Sequence, residues 1–116
     1  MQEIRLTSEA ELLLCVLYNA YTVRRKDGMN RSAARNFGSS KKIQEEFLQQ
    51  MPIDDIDDAA RELKKKGLFT FLPADNTVYA DAQLTEDGII YMDHETGDKL
   101  DRLLDRIATL RKIILG

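Results

Sequence analysis

IDDIDDAARELKKKGLFTF, Ile53 to Phe71, is the stretch on which the fold turns. Ile56, Ala59, Ala60 and Leu63 recur at helical spacing, so the spacing predicts a helix from about Asp54 to Lys66 with one inward stripe. Pro52 biases Met51 away from helical backbone and sets a turn ahead of it. Gly67 stands where a left-handed C-cap is needed. Beyond it, Leu68 to Leu72 and Val78 to Leu84 read as two strands around Pro73-Ala74-Asp75-Asn76-Thr77, a β-hairpin. The helix opens on Asp54, Asp55, Asp57 and Asp58 and closes on Lys64, Lys65 and Lys66. Carboxylates at a helix N-terminus and ammonium groups at its C-terminus complement the helix dipole, by about 0.3–1 kcal/mol each.

Upstream, Ser8 is the expected N-cap of a first helix with Glu9 and Glu11 in its first turn, ended near Lys26 by Asp27-Gly28. Leu12, Leu13, Leu14, Cys15, Val16, Leu17 and Tyr18 make it apolar on nearly all sides, which requires cover on more than one face. Asn30 then caps a short helix with Ala33, Ala34 and Phe37 inward and Arg31 and Arg35 outward, stopped by Gly38. Ser39 or Ser40 caps the next, Lys41 to Gln50, with Ile43, Phe47 and Leu48 inward. Downstream, Thr85 caps a helix from Glu86 to about Glu95 carrying Ile89, Ile90 and Met92, and Gly97 breaks it. In the last helix, Asp98 to about Leu115, Leu100, Leu103, Ile107, Leu110 and Ile114 repeat in 3-4-3-4 steps, the seam of a bundle or coiled coil. Leu104 and Ile113 widen that face.

The order helix, helix, helix, hairpin, helix is similar to a winged helix-turn-helix domain with a C-terminal helical extension: mainly α with a small β-hairpin wing, an α+β fold. The phrase DDAARELKKKGLF, followed after the hairpin by LTEDGIIYM and then the terminal helix, resembles the small YjcQ-like winged-helix proteins of bacteria and phages. The resemblance covers Ile53 to Leu115 well and the first helix loosely. It does not account for the basic segment Arg24 to Lys42, read as an insertion. It implies a winged-helix domain over residues 1–97, a packing or dimerisation helix over residues 98–116, and a regulatory or mobile-element setting. It carries no catalytic residues across.

A chain of 116 residues is one domain with room for one core. The longest apolar-rich run, Leu12 to Val23, is interrupted by Tyr18, Asn19, Tyr21 and Thr22 and is too short to span a bilayer, so no membrane partner is expected. No charged-then-apolar leader opens the sequence, and the expected location is the cytoplasm. The single cysteine, Cys15, sits among apolar residues and reads as a buried free thiol. His94, the only histidine, lies at a helix end in DHET, so no nucleophile–base pair and no zinc site is assembled. The aspartates lack the Gly turn and distal Glu of a calcium loop. The glycines are isolated and form no phosphate cradle. The expectation is a non-enzymatic protein with no metal and no cofactor.

The net charge of -3 hides an asymmetry. Arg24, Arg25, Lys26, Arg31, Arg35, Lys41 and Lys42 face only Asp27 in their segment, whereas Gly67 to Asp98 holds no Lys or Arg. The leading expectation is a transcriptional regulator binding duplex DNA, with those seven side chains on phosphates. Arg61, Lys64 and Lys65 are the candidate contacts from the later helix, and Arg61 is the best suited to read guanine. The four aspartates oppose docking of that helix. A second register, in which the helices flanking Gly38 form the helix-turn-helix and Ser39, Ser40, Lys41 and Lys42 lead into DNA, is chemically better supplied. The alternative function is a protein-interaction module without DNA binding, whose face of Asp54, Asp55, Asp57, Asp58 and Glu62 meets a basic partner. The seam of the last helix points to a homodimer; the other outlet is for that helix to fold back along the first helix of its own chain.

Overall fold

The computed structural model describes residues 4–72, 80–96 and 100–115. Its elements run α1 (Ser8–Lys26), α2 (Arg31–Ala34), β1 (Asn36–Gly38), α3 (Ser40–Phe47), α4 (Ile53–Lys65), β2 (Phe69–Leu72), β3 (Ala80–Leu84), α5 (Glu86–Thr96) and α6 (Leu100–Leu115). The fold is mostly helical with a small antiparallel sheet in the order β1-β3-β2, an α+β arrangement.

Helix α1 is the axis. Every residue from Leu12 to Tyr18 is buried, which a helix achieves only when wrapped on all sides. α4 and α6 supply most of that wrapping, with α2 and α5 at the margins. The N-cap is Thr7 rather than Ser8: its Oγ1 accepts from the Ala10 N–H at 3.3 Å. Thr7 is also gripped from outside, since its N–H and O–H both donate to the Glu62 carboxylate, at 2.7 and 2.8 Å. The start of α1 is thus tied to α4. Tyr18 donates to Asp93 of α5 through a short hydrogen bond.

The segment between α1 and α3 departs most from expectation. α2 is one turn, capped by Asn30 through the Ala33 N–H at 2.8 Å, with Ala34 buried and Ala33 exposed. Phe37 does not lie in a helix. It is the buried centre of β1, which pairs with β3 through Asn36↔Gln83 and Gly38↔Ala82. Because β1 separates α2 from α3, those two helices do not meet across a turn, and the second helix-turn-helix register is removed. α3 begins at its Ser39 cap but stops at Phe47, short of Gln50. Leu48 and Met51 are both buried, and the chain closes over them through Met51 N–H to Leu48 O at 3.0 Å and Gln44 Nε2 to Met51 O at 2.9 Å.

α4 and the strands follow their expected course. Ile56, Ala59, Ala60 and Leu63 are buried, and Gly67 takes φ 78°. β2 pairs with β3 through Phe69↔Leu84 and Thr70↔Gln83. The expected turn Pro73 to Thr77, the first strand residue Val78, and Gly97 and Asp98 lie outside the described residues.

Helix α6 folds back on its own chain. Leu103, Ile107 and Leu110 are buried and Ile114 is half-buried, with α1 as the neighbour. Arg106 pairs with Glu11, and Arg111 Nη2 donates to Phe47 O at 3.0 Å. The apolar stripe read as a dimer seam is therefore used inside the monomer; the side chain of Leu100 lies outside the described residues.

Cys15 is buried and free. Burial pushes its thiol from 9.0 up to about 12, with Glu11 raising it further and Arg106 opposing. Burial and the hydrogen bond to Asp93 likewise raise Tyr18 from 10.0 to about 12. Both groups hold their proton more tightly folded than unfolded. Their contribution is complete below about pH 9 and is lost as pH rises through about 12. The native thiol should be silent toward a thiol-reactive dye at neutral pH and react fully once the chain is unfolded in denaturant. Rapid labelling of the native protein would show that α1 opens locally.

Candidate functional site

The aspartate-rich helix is not a single acidic face. Asp54 and Asp55 are exposed in the first turn of α4. Asp58 is exposed and holds Arg61 at 2.8 Å. Asp57, in contrast, is only 1 % exposed, and neither carboxylate oxygen has a hydrogen-bond partner among the described residues. Glu62 is spent on Thr7. The expected face of Asp54, Asp55, Asp57, Asp58 and Glu62 thus reduces to Asp54, Asp55 and Asp58. Asp57 falls out because it lies four residues after Ile53, on the flank of the inward stripe. Glu62 falls out because its carboxylate reaches the N-terminus of α1.

The cations expected on α4 are also partly committed. Arg61 is exposed but carries its own counter-charge in Asp58. Lys64 lies with Nζ 4.4 Å from the centre of the Phe71 ring and donates to Phe71 O at 3.2 Å, which ties α4 to β2. Lys65 is exposed, with no ion pair among the described residues.

The basic segment divides in the same way. Arg24 is structural: its Nη1 donates to Ala34 O at 3.2 Å and Asn36 O at 2.9 Å, and its guanidinium stacks 4.5 Å from the centre of Phe37. It fastens the end of α1 to β1. Arg35 is half-buried rather than outward beside Arg31; its carbonyl accepts the Leu84 N–H at 3.0 Å, so the sheet holds its backbone. Arg25 bonds Met29 O at 3.1 Å but remains exposed. Lys26, Arg31 and Lys41 are exposed. Lys42 sits 4.0 Å from Glu46 with both side chains well exposed, a pair that solvent screens to little consequence.

One joint escaped the sequence reading. The Thr85 N–H donates to Leu68 O at 3.2 Å, Thr85 Oγ1 donates to Gly67 O at 2.6 Å, and the Gly88 N–H donates to Thr85 Oγ1 at 2.9 Å. The two phrases that carry the family resemblance therefore meet in space: KKKGLF supplies the carbonyls and LTEDG supplies the cap. Their adjacency across the hairpin was visible in the sequence; the contact itself depends on the pairing of β2 with β3.

Among the described residues, no group of three or more His, Cys, Asp and Glu side chains is placed to hold a metal ion. No helix among them is long and apolar enough to cross a membrane. No protein-family model, curated protein or solved structure matches this chain.

Proposed function

We propose that the chain is a non-enzymatic winged-helix protein that holds a basic protein surface on α4. Support for the winged-helix reading comes from α3 and α4 as a helix-turn-helix pair, the β2–β3 hairpin following α4 as a wing, and β1 completing the sheet. The observation that carries the partner is the exposed row Asp54, Asp55 and Asp58, of which Asp54 and Asp55 have no ion pair among the described residues. A duplex brings a phosphate charge about every 1.7 Å of axis, and this surface meets it with carboxylates. A lysine- or arginine-rich protein face meets the same surface favourably. Immobilised wild-type protein is expected to retain a lysine-rich polypeptide at low salt, and the double change Asp55→Lys with Asp58→Lys to abolish retention. Retention intact in the variant, together with a gain of DNA affinity, would overturn the reading.

The exposed Arg25, Lys26, Arg31, Lys41 and Lys42 favour a second reading, a DNA-binding regulator that grips phosphates through the basic segment. Anisotropy of a labelled mixed duplex against salt separates the two. The second reading requires affinity to fall with a log–log slope of about −0.9 for each phosphate neutralised. Loss of Arg31 should then weaken every sequence alike, and loss of Arg61 should relax specificity.

A further inference from the structure

Away from the α4 surface, an open groove of about 540 Å³ lies between α1, α3 and α6. Its apolar lining includes Val16, Ala20, Phe47 and Ile107, and its rim carries Val23 and Leu104, which are 50 % and 45 % exposed. The volume is that of a small-molecule site. Two arginines, Arg24 and Arg111, are among its lining residues, with one acidic residue, Glu46, so the lining carries one net positive charge. Both guanidiniums are anchored in advance. Arg24 Nη1 is fixed by Ala34 O and Asn36 O, and Arg111 Nη2 by Phe47 O. Their remaining N–H groups have no hydrogen-bond partner among the described residues, so the donors are oriented without being consumed. Glu46 disfavours a second negative charge on any occupant.

We propose that this groove binds a small amphipathic monoanion, a medium-chain alkyl carboxylate. Its chain lies on Val23, Phe47, Leu104 and Ile107, and its carboxylate takes the free guanidinium donors of Arg24 and Arg111. The occupant follows from complementarity: an apolar trough whose lining includes two anchored arginines and carries net positive charge suits one carboxylate on one hydrocarbon body. Part of the lining belongs to α3, the helix that leads into α4, so the ligand seats against the element that positions the partner surface. The binding site itself does not depend on how α4 is read.

The test is calorimetric titration of the full chain with decanoate, decanol and decyltrimethylammonium, each below its aggregation concentration. Decanoate is expected to bind as one equivalent, with the alcohol and the cation weaker by about tenfold or more. Val23→Glu, at an exposed helical position, should abolish binding while the circular dichroism is unchanged. Arg111→Gln should weaken binding by about tenfold. Three results overturn the proposal: no decanoate binding by folded protein, equal binding of the alcohol or the cation, or sedimentation showing a dimer that Val23→Glu converts to monomer. The last would assign the groove to a second copy of this chain.

Discussion

Replacing Gly88 with alanine is expected to destabilise the fold by about 2–4 kcal/mol. A Cβ on Gly88 would stand 2.1 Å from Leu68 O and 3.0 Å from its carbonyl carbon, and both are backbone atoms with no rotamer to change. The only relief is to lift the start of α5 off the α4–β2 turn. That movement breaks the hydrogen bond from the Thr85 N–H to Leu68 O and strains that from Thr85 Oγ1 to Gly67 O. Alanine returns about 0.5–1 kcal/mol through its better helix propensity, too little to reverse the sign. The melting temperature should fall by roughly 10 °C or more. Gly67→Ala provides the comparison. Its φ of 78° is strained for alanine, but nothing lies within 4 Å of the added carbon, so it should cost only about 1–2 kcal/mol. A Gly88→Ala protein as stable as Gly67→Ala would show that α5 is not held against Leu68 in solution.

The same joint shows where the sequence was legible. Thr85 as a cap, Gly67 as a left-handed stop, α1 from its apolar run and α4 from its stripe all rest on local signals, and each stands in the structure. β1 was not legible. Three residues, Asn36 to Gly38, show no alternation, and Gly38 at φ 80° reads locally as a helix stop. The strand exists because β3 offers an edge nearly fifty positions away. Four of the candidate site residues differ from expectation for a related reason. Charged side chains are exposed by default, so Arg24, Asp57, Glu62 and Lys64 read from the sequence as surface groups. Arg24, Glu62 and Lys64 instead reach backbone or hydroxyl groups on neighbouring elements, and Asp57 is buried. The seam of α6 is legible as an apolar stripe, and Leu103, Ile107 and Leu110 are buried, but a stripe does not state whether its partner is a second chain or α1. The intramolecular ties from Arg106 and Arg111 answer that for the folded monomer.

Replacing Asp57 with alanine is expected to stabilise the protein by about 1–3 kcal/mol, the penalty of leaving a buried polar group unsatisfied. Removing a buried group usually destabilises because it orphans whatever was bonded to it. Here neither oxygen of Asp57 has a described partner to orphan, while the carboxylate is almost wholly withdrawn from water. A carboxylate in that position loses hydration and gains no hydrogen bond from the described residues in exchange. Asp57→Asn should fall between, since it removes the charge but leaves a buried amide. Helix propensity alone favours alanine by a few tenths of a kcal/mol, so Asp55→Ala, at an exposed position in the same helix, sets the baseline. Urea melts of the three variants separate the contributions: Asp57→Ala well above Asp55→Ala supports an unsatisfied carboxylate, and Asp57→Ala below wild type would mean that a donor reaches it. The first outcome has a functional corollary. α4 would then carry a destabilising carboxylate among aspartates whose exposed members already serve its dipole, so the partner surface and the stability of its helix could be altered separately. Asp57→Ala would leave Asp54, Asp55 and Asp58 in place, and capture of a basic polypeptide should survive it unchanged.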